Sequence, residues 1–114
     1  MSDTTVLLGS SEVDSIVLGA AENEARRLSF TISASAKDLL LQRSLPALNR
    51  ENEEGRLESR RAEVERNTAA LIQHIVTEQE AGSAPQITHQ HMLLGISEFC
   101  KRHPDLYPVC TKAH

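Results

Sequence analysis

The chain reads as a small all-α domain. Three observations predict this. Apolar residues recur at three- and four-residue spacings through most of the sequence, and no segment alternates apolar and polar residues over the length of a strand. The core must also be aliphatic, because the aromatic residues are only Phe30, Phe99 and Tyr107, and Leu, Ile, Val and Ala suit helix packing. A chain of 114 residues buries one modest core and needs no cross-link to do so.

Residues 1–10 form a small, polar lead-in expected to be flexible. From there Val13, Ile16, Val17, Ala20, Ala21 and Leu28 trace one face of a helix over 12–28, capped by Ser10 or Ser11, with Glu12 and Asp14 near its positive end. The stretch "SFTISAS" holds Phe30 and Ile32 and reads as an extended connector rather than a sheet strand. Ser35 with Asp38 resembles a capping box opening a second helix, which carries Leu39, Leu40 and Leu41 and ends near Ser44.

Pro46 fits a first helical position. The polar stretch 46–61 follows, and Gly55 predicts a break in it. Glu53–Arg56, Glu58–Arg61 and Glu63–Arg66 have the spacing of ion pairs on a solvated helix. Leu57, Val64, Leu71 and Ile75 form a near-heptad row that reads either as that helix's inner face or as a seam for a partner helix. The helix ends near Gly82. Thr88 then caps a helix over 89–102 whose face is Met92, Leu93, Ile96, Phe99 and Cys100, and "HPDLYPVC" is a turn-rich tail that folds back.

The two halves, 11–45 and 62–103, echo each other across the polar connector, with 104–114 as the tail. Each has a long helix, a connector with one Ile (Ile32, Ile87) and a shorter helix with three apolar residues in a row. Leu39 and Met92, 53 positions apart, set the offset. The echo predicts a pseudo-duplicated domain.

The segment "ITHQHMLLGI" is similar to the hallmark of the N-terminal domain of Clp-family unfoldases. Its matching positions are Ile87, His91, Met92, Leu93, Leu94, Gly95 and Ile96, and "EARRL", Glu24 to Leu28, occupies the family's place in the first half. The first half departs from the pattern: Asp38 stands where the family has His, and the connector is two residues longer. The polar stretch 49–66 does not match. The resemblance implies a tandem helical module that recognises protein segments, an adaptor without ATPase machinery, since no Walker-type loop is present. The same segment also looks like the last loop and helix of a histone fold, with 36–44 as its short first helix and 57–80 as its long central one. That second reading predicts an obligate dimer binding DNA or acting in assembly.

The hallmark histidines read as packing residues. His89 and His91 lie roughly 200° apart around the helix. His91 therefore packs at the helix start while His89 is solvated. In the tail, Cys100, His103, Cys110 and His114 offer a two-sulfur, two-nitrogen set that zinc accepts. A Cys100–Cys110 disulfide and a pair of inert, reduced cysteines are the competing readings. Phe30, Leu106 and Tyr107, lying in connectors beside the helical faces, are the predicted contacts for a protein or peptide partner.

A net charge of −4 disfavours polyanions, so nucleic acid is not the expected partner. No apolar run approaches a membrane span, and no basic leader precedes Val6, Leu7 and Leu8. The sequence predicts a cytoplasmic monomer or homodimer with reduced cysteines. No residue group reads as a nucleophile with its base, so no enzymatic activity is expected.

Overall fold

A computed structural model describes residues 7–79 and 84–110. The expected all-α class holds. Four helices, α1 (Ser10–Arg27), α2 (Ala34–Glu53), α3 (Arg61–Thr77) and α4 (His89–Arg102), carry the fold. A 3₁₀ turn (Glu58–Arg60) precedes α3. The predicted connectors do pair: β1 (Thr31–Ile32) and β2 (Gln86–Ile87) form a two-residue parallel ladder. Two residues per strand are too few to show alternation, so periodicity could not reveal them.

The ladder fixes how the halves correspond. Ile32 and Ile87 are register partners, 55 positions apart. The residue after each strand caps the next helix: the Ser33 hydroxyl accepts from the Ala36 N–H at 3.1 Å, and the Thr88 hydroxyl accepts from the His91 N–H at 3.2 Å. The offset is therefore 55 rather than 53, and the connectors are equal in length: the two residues counted as extra in the first belong to α2. The cap of α2 is Ser33 rather than Ser35. Helix α1 is likewise entered from Gly9, whose N–H donates to Glu12 Oε1 at 3.2 Å, rather than from a serine cap.

Both first-half helices end in the same way. Ser29 takes φ 65° after α1, with Phe30 N–H donating to Ala25 O at 2.7 Å; Gly55 takes φ 72° after α2, with Arg56 N–H donating to Glu51 O at 2.9 Å. A left-handed residue that closes the helix's last carbonyls in this way is a Schellman cap. The break expected at Gly55 is therefore present.

Pro46 does not start a helix but lies inside α2, which runs nine residues beyond the expected end at Ser44. Proline removes the hydrogen bond to the Gln42 carbonyl. Gln42 and Pro46 are both exposed, so water reaches that carbonyl. Leu40, Ser44 and Leu48, all 0% exposed, continue one buried face across the proline. Burial on that side holds the helix through its weak point. The short helix 36–44 of the histone-type reading is thus part of a 20-residue helix.

The core lies where α1 packs on α3 and α2 on α4. Leu57, Val64, Leu71 and Ile75 are all buried in it, so the near-heptad row is internal and offers no seam to a partner. Glu24 is the buried acid of α1. It accepts from Arg27 Nε at 3.0 Å and, across to α3, from Gln73 Nε2 at 2.7 Å. Those bonds, Arg27's first, hold its carboxyl below the ordinary carboxylate value.

The polar connector is laced with ion pairs, though not all of those expected. Arg61 reaches Glu58, but Arg56 pairs with Glu51 and Glu54 rather than Glu53, and Glu63 pairs with Arg60 rather than Arg66. The lead-in expected to be flexible is pinned where it is described. Leu8 N–H donates to Asn52 Oδ1 and Asn52 Nδ2 donates back to Leu8 O, each at 2.9 Å.

Candidate functional site

The hallmark segment lies along α4, and its residues divide between two faces. Met92, Gly95, Ile96 and Phe99 point into the core. Leu93 and Leu94 do not: they are 39% and 52% exposed. Core positions on a single-sided helix recur every three or four residues, which carries 92, 95, 96 and 99 inward and leaves 93 and 94 outside. Leu93, expected on the inner face, thus lies outside together with Leu94.

At Gly95, α4 lies close against α3. A Cβ there would overlap Ile75 Cγ1 and lie 2.8 Å from its Cδ1. Above this contact a cleft of about 290 Å³ opens between the end of α3 and the middle of α4. His74 lines it from α3, Glu78 and Gln79 from the turn that ends α3, and His91, Leu94 and Glu98 from α4. None of the described residues lining it is Lys or Arg. His74, Glu78 and Glu98 each bring one ligand-type atom to within 4.8 Å of the other two. His74 and Glu78 are four apart and share a helix face.

Hydrogen bonding fixes the polarity of this cleft. His91 Nδ1 accepts from the Thr88 N–H at 3.2 Å, so His91 replaces the Glu or Gln of a capping box. A backbone amide only donates, so Nδ1 carries no proton and the neutral ring is protonated at Nε2. Gln79 Nε2, 3.2 Å from the same Nδ1, must then be the donor as well. This assignment leaves Gln79 Oε1 buried with no partner, as is His74 Nε2. The His74 ring packs against Phe99 with centroids 5.6 Å apart. As expected, His91 packs at the helix start and His89 is exposed.

The tail folds back on the domain. Tyr107 is buried, its hydroxyl donating to Ala47 O at 3.1 Å. Asn67 Nδ2 donates to Tyr107 O at 2.9 Å, and the Arg60 guanidinium stacks 3.8 Å over the ring. Burial pushes the phenol up to about 12, against the opposing pull of Arg60. Tyr107 is therefore an anchor rather than a contact surface. Phe30 and Leu106 are half-buried against the core.

Cys100 and Cys110 are joined in a disulfide. Of the three readings of these sulfurs, inert thiols, zinc ligands and a mutual disulfide, the last is the one found, and a disulfide offers no thiolate to a metal. His103 packs on Phe99 with centroids 4.9 Å apart, and His114 lies outside the described residues. Sequence reasoning passed over the cleft because its members come from separate helices: His74, Glu78 and Glu98 meet only once Gly95 docks on Ile75. The four-residue spacing of His74 and Glu78 was the one signal available.

No helix of the described residues is long and apolar enough to cross a membrane. No family model, curated protein or solved structure matches the chain.

Proposed function

We propose that the protein is a non-enzymatic binding module that takes an acidic amphipathic segment of a partner protein across the outer face of α4. The observation that carries this reading is the exposure of Leu93 and Leu94 on a helix whose other side is core. From Leu94 the face continues into a shallow depression of about 480 Å³ ending at Lys101 and Arg102. Neither cation has an ion-pair partner among the described residues, and both also suit the negative end of the α4 dipole. A helical segment with apolar residues one turn apart, followed by Asp or Glu, complements leucines followed by cations. Glu98 beside them sets the register by repelling an acid placed one turn early.

The reading agrees in kind with the segment recognition that the Clp resemblance implies. It moves the contact from Phe30, Leu106 and Tyr107 to Leu93, Leu94, Lys101 and Arg102. Covering the exposed part of each leucine contributes roughly 1 kcal/mol, so losing one weakens binding about fivefold, and a charge in its place weakens it further. Selection from a random 12-residue peptide display library tests the proposal. Apolar–acidic sequences should be enriched, and Leu94→Asp and Lys101→Glu should each weaken them at least fivefold. Enrichment of peptides that bind both variants as well as the parent would refute it.

A further inference from the structure

The α3–α4 cleft gathers polar groups that have no partner within the fold. Glu78 and Glu98 have no ion-pair partner among the described residues, His74 Nε2 and Gln79 Oε1 are buried and unpaired, and no Lys or Arg lines the cleft. Two carboxylates and an imidazole, all within 4.8 Å of one another, make a set that one cation satisfies together. We infer that His74, Glu78 and Glu98 form a binding site for a single zinc-class divalent cation.

The chemistry selects the class. One imidazole nitrogen with two carboxylate oxygens is the mixed N/O set of a transition ion, whereas magnesium and calcium take oxygens. Three protein ligands leave an open position, as in zinc sites that hold a water. Ligand bonds of about 2.0–2.2 Å require donors closer than they now stand. The two glutamates are exposed, so a change of rotamer can close that gap. His74 is the fixed point, since its ring is packed on Phe99. Gly95 against Ile75 holds the two helices at the separation the site needs. The tail set read from the sequence is a different site. It shares no residue with this one, and its sulfurs are already bonded.

Isothermal titration of the oxidised, tag-free protein with zinc chloride in a non-chelating buffer tests the inference. Keeping the disulfide intact excludes thiolate binding. One zinc per chain is expected. Glu98→Gln, an exposed change that leaves the fold intact, should weaken binding at least tenfold, as should His74→Gln. His89→Ala and His103→Ala should bind zinc as the parent does. Zinc should also shift the His74 ring resonances in the proton–nitrogen NMR spectrum. No saturable binding, binding unchanged by Glu98→Gln, or binding lost with His103→Ala would each overturn the inference. The peptide selection on the α4 face is read without added metal, so the two proposals fail independently.

Discussion

Two glycines, both inside helices, should respond in opposite directions to the same substitution. A Cβ built on Gly19 in α1 meets nothing within 4 Å. Gly19→Ala therefore recovers helix propensity alone, about 1 kcal/mol of added stability. Gly95→Ala gains the same propensity but drives a methyl into Ile75 Cγ1 and Cδ1, with Cβ at an ordinary 3.6 Å. Ile75 is β-branched on a helix, so its first torsion has little room to turn away. Overpacking of this kind costs about 1–3 kcal/mol. Against the propensity gain, Gly95→Ala should be destabilised by up to about 2 kcal/mol, a fall in Tm of several degrees for a chain of this size.

The companion change Ile75→Ala removes both clashing carbons. Alone it leaves a cavity and costs about 2–5 kcal/mol. Combined with Gly95→Ala it gives the new methyl a space to occupy, so the double variant should be more stable than the sum of the singles by about 1–3 kcal/mol. Urea unfolding of the parent and four variants measures all of these differences. A Gly95→Ala protein stabilised like Gly19→Ala, or strict additivity with Ile75→Ala, would refute the docking of α4 on α3 at this point.

Tyr107 is the chain's one tyrosine and there is no tryptophan, so its ultraviolet titration is unobstructed. The folded phenol should ionise near 12 rather than at the ordinary 10.0. Because the folded pKa is the raised one, the unfolded chain loses its proton first. This contribution to stability is full below pH 10 and fades as pH rises toward 12; a folded-state midpoint near 10 would contradict the burial. Tyr107→Phe should cost about 0.5–1.5 kcal/mol by removing the hydroxyl's bond to the Ala47 carbonyl. Reducing Cys100–Cys110, which closes a loop with a sequence separation of 10, should cost about 2–3 kcal/mol by the chain-entropy estimate. Thermal unfolding with and without reductant measures this. Thiol counting on protein taken directly from cells shows whether the cytoplasmic expectation stands, since that compartment keeps cysteines reduced.

Residues acting through local chemistry were legible in the sequence. Thr88 and His91 sit at a helix start whose cap needs only neighbouring atoms, and α4 begins there. Gly55 at positive φ ends a helix because no Cβ opposes it. Pro46 misled because its local cost is real, and only the burial of Leu40 and Leu48 on the opposite side outweighs it. The near-heptad row was seen correctly as an apolar face, but spacing cannot say whether such a face meets its own chain or another. Leu93 and Leu94 looked like core because a run of apolar residues hides which members face in. The cleft and the β1–β2 ladder join parts of the chain that come together only in the folded state, whereas the Cys100–Cys110 bond is one of the readings that two cysteines and their spacing leave open.

The interleaving of the halves bears on where the chain can be cut. Helix α1 finds its largest neighbour in α3, and β1 pairs with β2. A backbone nick at the Gly55 turn would therefore release nothing, because each piece is held by the other's apolar side. Made separately, residues 7–54 and 56–110 would each expose the surface that the other covers. Neither is expected to fold alone, and mixing the two restores the α1–α3, α2–α4 and β1–β2 contacts. The duplication makes a single cooperative body, not two small ones joined by a link.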